Sequence, residues 1–355
     1  MAKYRAVIIG CGGRSFWHAR AYGQVENADV VACCDLVEER RNRLAEAHGL
    51  KTYNDPRRMI EQERPDLVHL VTSPRHRVEL LRMIGEMSVP ACLVEKPIAL
   101  GASDWRQICK LESETRTKIG VGAQWRYSPY MERCREALAS GKLGKRLFME
   151  ATAMSSVCDQ GVHVLDWAMS LNDESPAALA FGTVHGADEM ASSQPGPRSA
   201  AAQLVFENGV GCSFTIGTTA PLVPTKYEAI GRYSHCRAAV YCERGRVLFE
   251  EFGRWEIVSP EGTESGETMS MTEWEQHNDR AQAALTRKML AWIEDDSKPV
   301  GTNLKRALAQ WNAILGVYAS GVWGRPVELP FEPPDDLFEQ TAAHLGRGAE
   351  ASSSE

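Results

Sequence analysis

Long hydrophobic runs are missing from this sequence of 355 residues. No apolar stretch approaches the ~18 residues that a membrane-spanning helix needs, so the sequence predicts no membrane partner. A short apolar run at residues 6–9 ends in glycines, without the cleavage site of a secretory signal. The ten cysteines include no CxxC pair and no regular spacing. We therefore expect a reduced, cytoplasmic protein.

A strong excess of positive charge is also absent. The sequence has 40 Lys and Arg residues against 47 Asp and Glu residues, a net charge of −7, which disfavours a nucleic-acid partner. The charge is uneven along the chain, with a net +3 over residues 1–125 and a net −10 over residues 126–355. The mildly basic part is where we expect an anionic cofactor.

Residues 1–125 alternate short apolar runs with segments of helical spacing. Such alternation is typical of βαβ units and predicts a first α/β domain with a parallel sheet. The predicted strands cover residues 6–10, 30–34, 67–72, 92–95 and 119–122. The predicted helices cover residues 38–48, 56–63, 78–87 and 103–117.

Residues 126–330 show a different pattern, in which several strand-like runs follow one another without intervening helices. This predicts a second α/β domain with a large, mostly antiparallel sheet, covered on one face by helices. The predicted strands cover residues 147–153, 178–184, 201–206, 210–215, 227–231, 238–242, 246–250 and 255–258. Helices are expected at 129–140, 163–171, 272–295 and 303–320, and residues 331–355 are expected to form a flexible tail.

A glycine-rich turn directly follows the first predicted strand. Gly10 permits a sharp turn, Gly12 allows close approach of a pyrophosphate, and Ser15 stands where a third small residue packs helix against strand. The helix that begins here would direct its N–H groups at the phosphates. Taken alone, the turn is equally compatible with an ordinary tight turn.

An acidic residue supports the dinucleotide interpretation. Asp35 follows the second predicted strand, twenty positions after Ser15. Its carboxylate would accept hydrogen bonds from an adenosine ribose and would repel a 2′-phosphate, so NAD is favoured over NADP. Arg40 and Arg41 lie close enough in sequence to weaken that preference.

A lysine stands at the end of the fourth predicted strand, in Glu95-Lys96-Pro97. Ligands of open parallel sheets bind at the carboxyl ends of strands, and a partly desolvated lysine there could exchange protons near neutral pH. The alternative is a solvated lysine in a surface loop.

Two aspartates and a histidine cluster in the second part of the chain. In a helix, Asp159, His163 and Asp166 would share one face, with Asp159 capping the helix and orienting the imidazole for proton transfer. A capping aspartate with a buried histidine is the structural alternative. A metal site is a third interpretation, with Cys158 adjacent, although no further His or Cys stands at ligand spacing.

The ordered set of motifs resembles the glucose–fructose oxidoreductase and inositol dehydrogenase family (Gfo/Idh/MocA). The motifs run in order from the N-terminus to about residue 330. They are Gly10-x-Gly12-x-x-Ser15-x-x-His18, Asp35, Thr72 to Pro74, Glu95-Lys96-Pro97-Ile98-Ala99, Gln124-Trp125-Arg126-Tyr127-Ser128-Pro129, Ser140-Gly141-Lys142-Leu143-Gly144, Asp159-x-Gly161-x-His163-x-x-Asp166, Phe206-Glu207-Asn208-Gly209 and Ser320-Gly321-x-x-Gly324-Arg325-Pro326-Val327.

The resemblance implies a Rossmann domain over residues 1–125 and a substrate-binding and oligomerisation domain over residues 126–330. It implies that Lys96, Asp159 and His163 are the catalytic residues, and that these three with Arg126 and Tyr127 bind the substrate. The implied cofactor-binding residues are Gly10, Cys11, Gly12, Gly13, Arg14, Ser15, Asp35, Thr72, Ser73, Pro74, His76, Glu95, Lys96 and Arg126. No metal is implied.

The activity that the resemblance implies is hydride transfer between NAD, or less favourably NADP, and a secondary alcohol of a sugar, cyclitol or related polyol. Alternatives are a glycoside-cleaving or epimerising enzyme with tightly bound NAD, and a non-catalytic cofactor sensor. A homodimer or homotetramer through the second sheet is expected. The sequence departs from the family at Ser15, at Arg75 and in the short segment 154–158, which leaves the substrate open.

Overall fold

The computed structural model describes residues 4–192, 194–221, 235–266 and 269–352. The strands are β1 (Tyr4–Ile9), β2 (Ala28–Cys34), β3 (Lys51–Tyr53), β4 (Leu67–Leu70), β5 (Ala91–Val94), β6 (Lys118–Val121), β7 (Arg146–Ala153), β8 (Ala177–His185), β9 (Ser199–Phe206), β10 (Gly211–Ile216), β11 (Cys236–Cys242), β12 (Gly245–Glu250), β13 (Trp255–Ser259), β14 (Gly262–Gly266) and β15 (Val327–Glu328). The helices are α1 (Gly13–Ala21), α2 (Glu38–His48), α3 (Pro56–Glu63), α4 (Arg77–Glu86), α5 (Ala102–Glu114), α6 (Pro129–Ala139), α7 (Val162–Leu171), α8 (Met271–Glu294), α9 (Leu304–Trp323) and α10 (Leu337–Ser352).

The chain divides into two compact units. The first comprises Met1–Ile98, Gln107–Tyr127 and Glu275–Ala307. The second comprises Ala99–Arg106, Ser128–Trp274 and Leu308–Glu355. This division differs from the expected boundary at residue 125, because the first unit draws on three separate stretches of the chain.

The first unit contains a six-stranded parallel sheet in the order β3-β2-β1-β4-β5-β6. Strands β4 and β5 are buried along their whole length, as continuous apolar runs in a parallel sheet covered on both faces should be. The strand order reverses between β1 and β4. The carboxyl ends of the strands at such a switch point border the crevice in which doubly wound folds bind ligands.

Residues 275–307 contribute to the core of this parallel sheet. Leu285, Met289 and Val300 are buried in the same hydrophobic cluster as Leu67 and Leu93. Gly120 of β6 leaves room for them, since an added Cβ would lie 2.5 Å from the Met289 sulfur and 3.1 Å from Val300. The sequence placed these residues in the second domain; the structure places them in the first unit because their apolar side chains fill its core.

The second unit contains a nine-stranded sheet in the order β14-β13-β12-β11-β7-β10-β9-β8-β15. Neighbours pair antiparallel except β7 and β10, which are parallel. Helix α7 packs on β7 and β11, and α6 packs on β12 and β13. The predicted fold class is thereby confirmed. The strand expected at residues 227–231 lies outside the described residues.

The expected flexible tail is partly wrong, because α10 occupies Leu337–Ser352. Leu337, Thr341 and Leu345 are buried, and their spacing of four residues places them on one face of the helix. Burial of this apolar face stabilises the helix. The polar residues at the end of the segment hide the apolar pattern in the sequence.

None of the helices in the described part of the chain has the length and apolar character required to cross a bilayer.

Helix α7 should be a main source of stability for the second unit. Trp167 is fully buried and meets Phe249 edge to face, with 5.0 Å between ring centroids. We expect Trp167→Ala to lower the free energy of unfolding by about 3–5 kcal/mol, since truncation leaves a large cavity. Urea unfolding followed by circular dichroism measures this. Met271→Ala, at a side chain 39% exposed at the start of α8, is the control and should change stability little; equal losses in both variants would contradict the prediction.

Candidate functional site

The glycine turn after β1 has the geometry that the sequence predicts. Gly10 adopts a φ of +94°, and a Cβ there would lie 2.5 Å from the Val71 carbonyl oxygen after β4, so only glycine fits. Gly12, unlike Gly10, borders open space, because an added Cβ there would meet nothing within 4 Å. The Ser15 hydroxyl, fully buried, donates to the Gly12 carbonyl oxygen at 2.5 Å and closes the turn.

A cavity of about 610 Å³ lies at the carboxyl ends of β1, β2 and β4. Among the predicted cofactor-binding residues, its lining includes Gly10, Gly12, Asp35, Thr72, Ser73 and His76. The other lining residues are Arg40, which the sequence places near the cofactor, and eight that were not predicted, namely Ile9, Cys34, Leu36, Val37, Pro56, Val71, Glu79 and Leu80. The open space above Gly12 and the acidic side chain at the rim fit a dinucleotide.

The Asp35 carboxylate is fixed at the cavity by backbone donors. Its Oδ2 accepts from the Cys11 N–H at 2.7 Å, and its Oδ1 accepts from the Val37 N–H at 2.9 Å. Arg41 donates to the Asp35 carbonyl oxygen at 3.3 Å, whereas Arg40 lines the cavity. The Cys11 side chain is itself buried, so this residue contributes its backbone to the turn.

Arg14 and Glu95 were both predicted to bind the cofactor, and the structure pairs them with each other. Arg14 Nε donates to Glu95 Oε1 at 2.9 Å, and Arg14 Nη2 donates to Gln282 Oε1 at 3.1 Å. Burial opposes ionisation of Glu95, but Arg14 and His18 outweigh it and hold the pKa of this carboxyl well below its usual range. Glu95 is therefore an internal counter-ion in the described structure.

Arg77, which the sequence analysis missed, joins two loops of the predicted site. This side chain is 1% exposed; Nη2 donates to the Thr72 carbonyl oxygen at 3.0 Å, and Nη1 donates to the Pro97 carbonyl oxygen. One guanidinium thus holds the second residue after β4 and the residue that follows Lys96. A signal was present, because Arg77 shares the buried helical face of Leu81 and Ile84 at spacings of four and three.

Arg126 and Tyr127 are buried in the first unit and do not line the 610 Å³ cavity. Arg126 Nη1 donates to the Gly301 carbonyl oxygen at 3.1 Å, and the Tyr127 hydroxyl accepts from the Thr302 N–H at 3.4 Å. Residues 301–302 belong to the stretch 275–307 that returns to the first unit. The structure therefore gives both predicted site residues a packing partner that the sequence did not reveal.

Asp159 and His163 lie in the second unit, where a π-helical turn, Val157–Gly161, precedes α7. The Ser155 hydroxyl donates to Asp159 Oδ2 at 2.6 Å, while no side chain caps the start of α7. The expectation that Asp159 caps this helix is wrong, because the π turn carries Asp159 away from the capping position. Such turns are often found at functional sites. His163 is 6% exposed.

The short segment before Asp159 is anchored by its neighbours in the second unit. The Cys158 thiol donates to the Pro195 carbonyl oxygen at 3.5 Å, and burial, followed by the nearby Cys158, raises the pKa of Tyr318. Lys96, by contrast, stands in the first unit at the end of β5. In the described ranges, no group of three His, Cys, Asp or Glu side chains has the arrangement of a metal site.

Among known protein families, the model of the GFO_IDH_MocA oxidoreductase family, which has an NAD-binding Rossmann fold, matches residues 4–123. A D-apiose dehydrogenase of Paraburkholderia graminis is 27% identical over 361 residues, covering 92% of this chain and 90% of the relative. An inositol 2-dehydrogenase of Rubrobacter xylanophilus is 28% identical over 158 residues, covering 44% and 45%. An oxidoreductase structure from Agrobacterium radiobacter, in complex with NAD+, L-tartaric acid and magnesium, superposes with a TM-score of 0.78 at 17% identity, covering 92% and 98%, which shows a shared fold.

Filling the space above Gly12 should separate cofactor binding from stability. We expect Gly12→Ala to leave thermal unfolding unchanged, because its φ of −73° suits alanine and no protein atom is near. The added methyl should cost NADH binding about 1–3 kcal/mol, which corresponds to a Kd raised about 5- to 150-fold. NADH fluorescence titration measures this, with Gly23→Ala as control, since that position also has open space but lies outside the cavity. Unchanged NADH affinity in Gly12→Ala would contradict the assignment.

Acid should destabilise the protein through buried histidines. His277 stacks on Trp125 at 5.6 Å, and burial followed by the charge of Arg280 lowers the His277 pKa to about 4. The unfolded chain binds this proton near pH 6.5, whereas the folded chain does not. The free energy of unfolding therefore has its full value above pH 6.5 and falls towards pH 4 by about 1.4 kcal/mol per pH unit. Melting curves from pH 7.5 to 5 should therefore show a shallower acid loss in His277→Phe than in wild type. The exposed His185→Asn should retain the wild-type slope; identical slopes in all three proteins would refute the role of His277.

Proposed function

We propose that this oxidoreductase, whose residues 4–123 belong to the Gfo/Idh/MocA family, transfers a hydride between NAD and a secondary alcohol of a sugar, cyclitol or related polyol. The observation that carries the proposal is the cavity at the β1–β4 switch point, with open space above Gly12 and an oriented Asp35 carboxylate. The same chain retains a lysine after β5 and the Asp159 and His163 pair, as the resemblance requires.

Asp35 supports NAD as the preferred cofactor. Its two oxygens each accept one backbone hydrogen bond and retain lone pairs for ribose hydroxyls, while its charge would repel a 2′-phosphate. Arg40 on the cavity wall is the group that would favour NADP. The backbone N–H groups at the start of α1 would hold the pyrophosphate.

The reaction chemistry divides between cofactor and chain. When bound, NAD supplies the hydride acceptor. We propose that His163 removes the hydroxyl proton of the substrate, Asp159 keeps the imidazole oriented, and Lys96 polarises the reacting oxygen. Ser155 supports the role of Asp159, because its hydroxyl already restrains one carboxylate oxygen. Arg77 supports the placement of Lys96 by holding the carbonyl that follows it.

The substrate class is supported by the relatives. D-Apiose and inositol, the substrates in the names of the two dehydrogenases, both carry several secondary or vicinal hydroxyls. The segment 154–158 stands directly before Asp159, so its side chains would set which polyol is accepted.

We propose that the reduced thiols reflect a cytoplasmic location.

We further propose that the chain forms a homodimer or homotetramer through the nine-stranded sheet. Leu147 of β7, Phe181 of β8 and Val205 of β9 are large apolar side chains exposed on this unit. Such exposure on a sheet is typical of a surface that a second copy covers.

Lys96 and His163 should each be needed for turnover. Wild-type protein should reduce NAD with at least one member of a panel of aldoses, inositols and sugar acids, and NADP more slowly. We expect Lys96→Ala and His163→Ala to lower kcat by about 10²–10⁴, the usual contribution of a positioned acid–base group. Lys110→Ala, at an exposed side chain on α5, should keep wild-type rates. Absence of turnover across the panel, or full activity in Lys96→Ala, would overturn the proposal.

A further inference from the structure

A chain of buried polar side chains runs through the first unit beneath the cofactor turn. His18 Nε2 lies 2.8 Å from Glu95 Oε1, His18 Nδ1 lies 2.8 Å from His69 Nδ1, and His69 Nε2 lies 2.7 Å from the Tyr22 hydroxyl. His18 and His69 are both completely buried. The same Glu95 oxygen also accepts from Arg14. The chain therefore joins α1, β4 and the end of β5.

When both imidazole rings are neutral, the hydrogen bonds between these side chains can point in only one direction. The Glu95 carboxylate can only accept, so His18 carries its proton on Nε2 and accepts at Nδ1. His69 must then donate from Nδ1 and accept at Nε2 from the Tyr22 hydroxyl. Every one of these ring nitrogens is satisfied by this arrangement, and burial lowers the pKa of both histidines, which favours it.

Adding a proton to each ring destroys the arrangement. Two imidazolium rings would point N–H groups at each other across the 2.8 Å between the Nδ1 atoms. The other groups that face the rings offer limited relief. Arg14 repels a positive charge on His18, Glu95 is already shared, and Gln282 of α8 approaches His18 Nδ1 only at 3.4 Å.

The geometry places the cofactor turn at one end of this chain. Arg14 and His18 stand one turn apart on α1, and both bind the same Glu95 oxygen. Gly122 after β6 leaves room for that carboxylate, since an added Cβ would lie 3.1 Å from Oε1. The start of α1 is thereby tied to the strand end that carries Lys96.

We propose that His69 and His18 are positioning residues for the dinucleotide, which keep Glu95 on Arg14 and so fix the phosphate-binding end of α1. This inference rests on the proposed function in that NAD is the ligand. His69 does not line the cavity and acts through His18 and Glu95. Because the arrangement cannot hold an added proton on both rings, affinity for NAD should fall as acid protonates them.

The test measures NAD binding by isothermal titration calorimetry on the full-length protein from pH 8 to pH 5. We expect His69→Phe to weaken binding about tenfold at pH 8, because His18 loses its donor and Glu95 its fixed orientation. In His69→Asn the amide can donate from the position of Nδ1, so affinity at pH 8 should stay within about threefold of wild type. Its decline in acid should be shallower, since asparagine does not titrate. His48→Asn, the same change on α2, should bind NAD like wild type at every pH.

Thermal unfolding of each variant separates positioning from folding. If His69 served stability alone, both His69 variants would unfold at lower temperature while the folded fraction bound NAD with wild-type affinity and pH profile; that result would overturn the inference. Equal weakening in His69→Asn and His69→Phe would also overturn it, because the hydrogen-bond donor would then be irrelevant. Wild-type protein that does not bind NAD would instead refute the proposed cofactor.

Discussion

The close approach of Gly10 to the Val71 carbonyl is the constraint on which the candidate cofactor site depends. It lets the chain leave β1 at the point where the strand order reverses, with the turn pressed against the residue after β4. Several other parts of the site adjoin this turn. Helix α1 starts directly above it, Asp35 reaches the turn from β2 through the Cys11 N–H, and Thr72 and Ser73 continue from Val71.

The parts of this site that involve local spacing were predictable from the sequence. The glycine turn, Asp35 and the loop after β4 occupy the expected strand ends, because apolar runs and glycines determine where parallel strands stop. Pairings between distant residues were not predictable. Nothing in the sequence says that Arg14 and Glu95, both expected to face the cofactor, neutralise each other in a partly buried pair.

For the fold as well, packing between distant parts of the chain was not predictable from the sequence. The periodicity of α8 indicates that Leu285 and Met289 share an apolar face, but it does not say which sheet covers that face. The small and polar residues at the end of the chain dominate the composition of α10 and mask its amphipathic face in the sequence. In the second unit, the π turn displaced Asp159 from the cap that helical spacing implied, since one wider turn changes which residues share a face.

The return of residues 275–307 to the first unit has a consequence for the order in which the protein can fold during its synthesis. Chains emerge from the ribosome N-terminus first, and domains made of one continuous stretch can fold as soon as they emerge. Here the parallel sheet is complete at residue 121, yet Leu285, Met289 and Val300 of its core are made more than 150 residues later. One apolar surface of the nascent parallel sheet must therefore remain exposed while all of the long strands of the antiparallel sheet are translated.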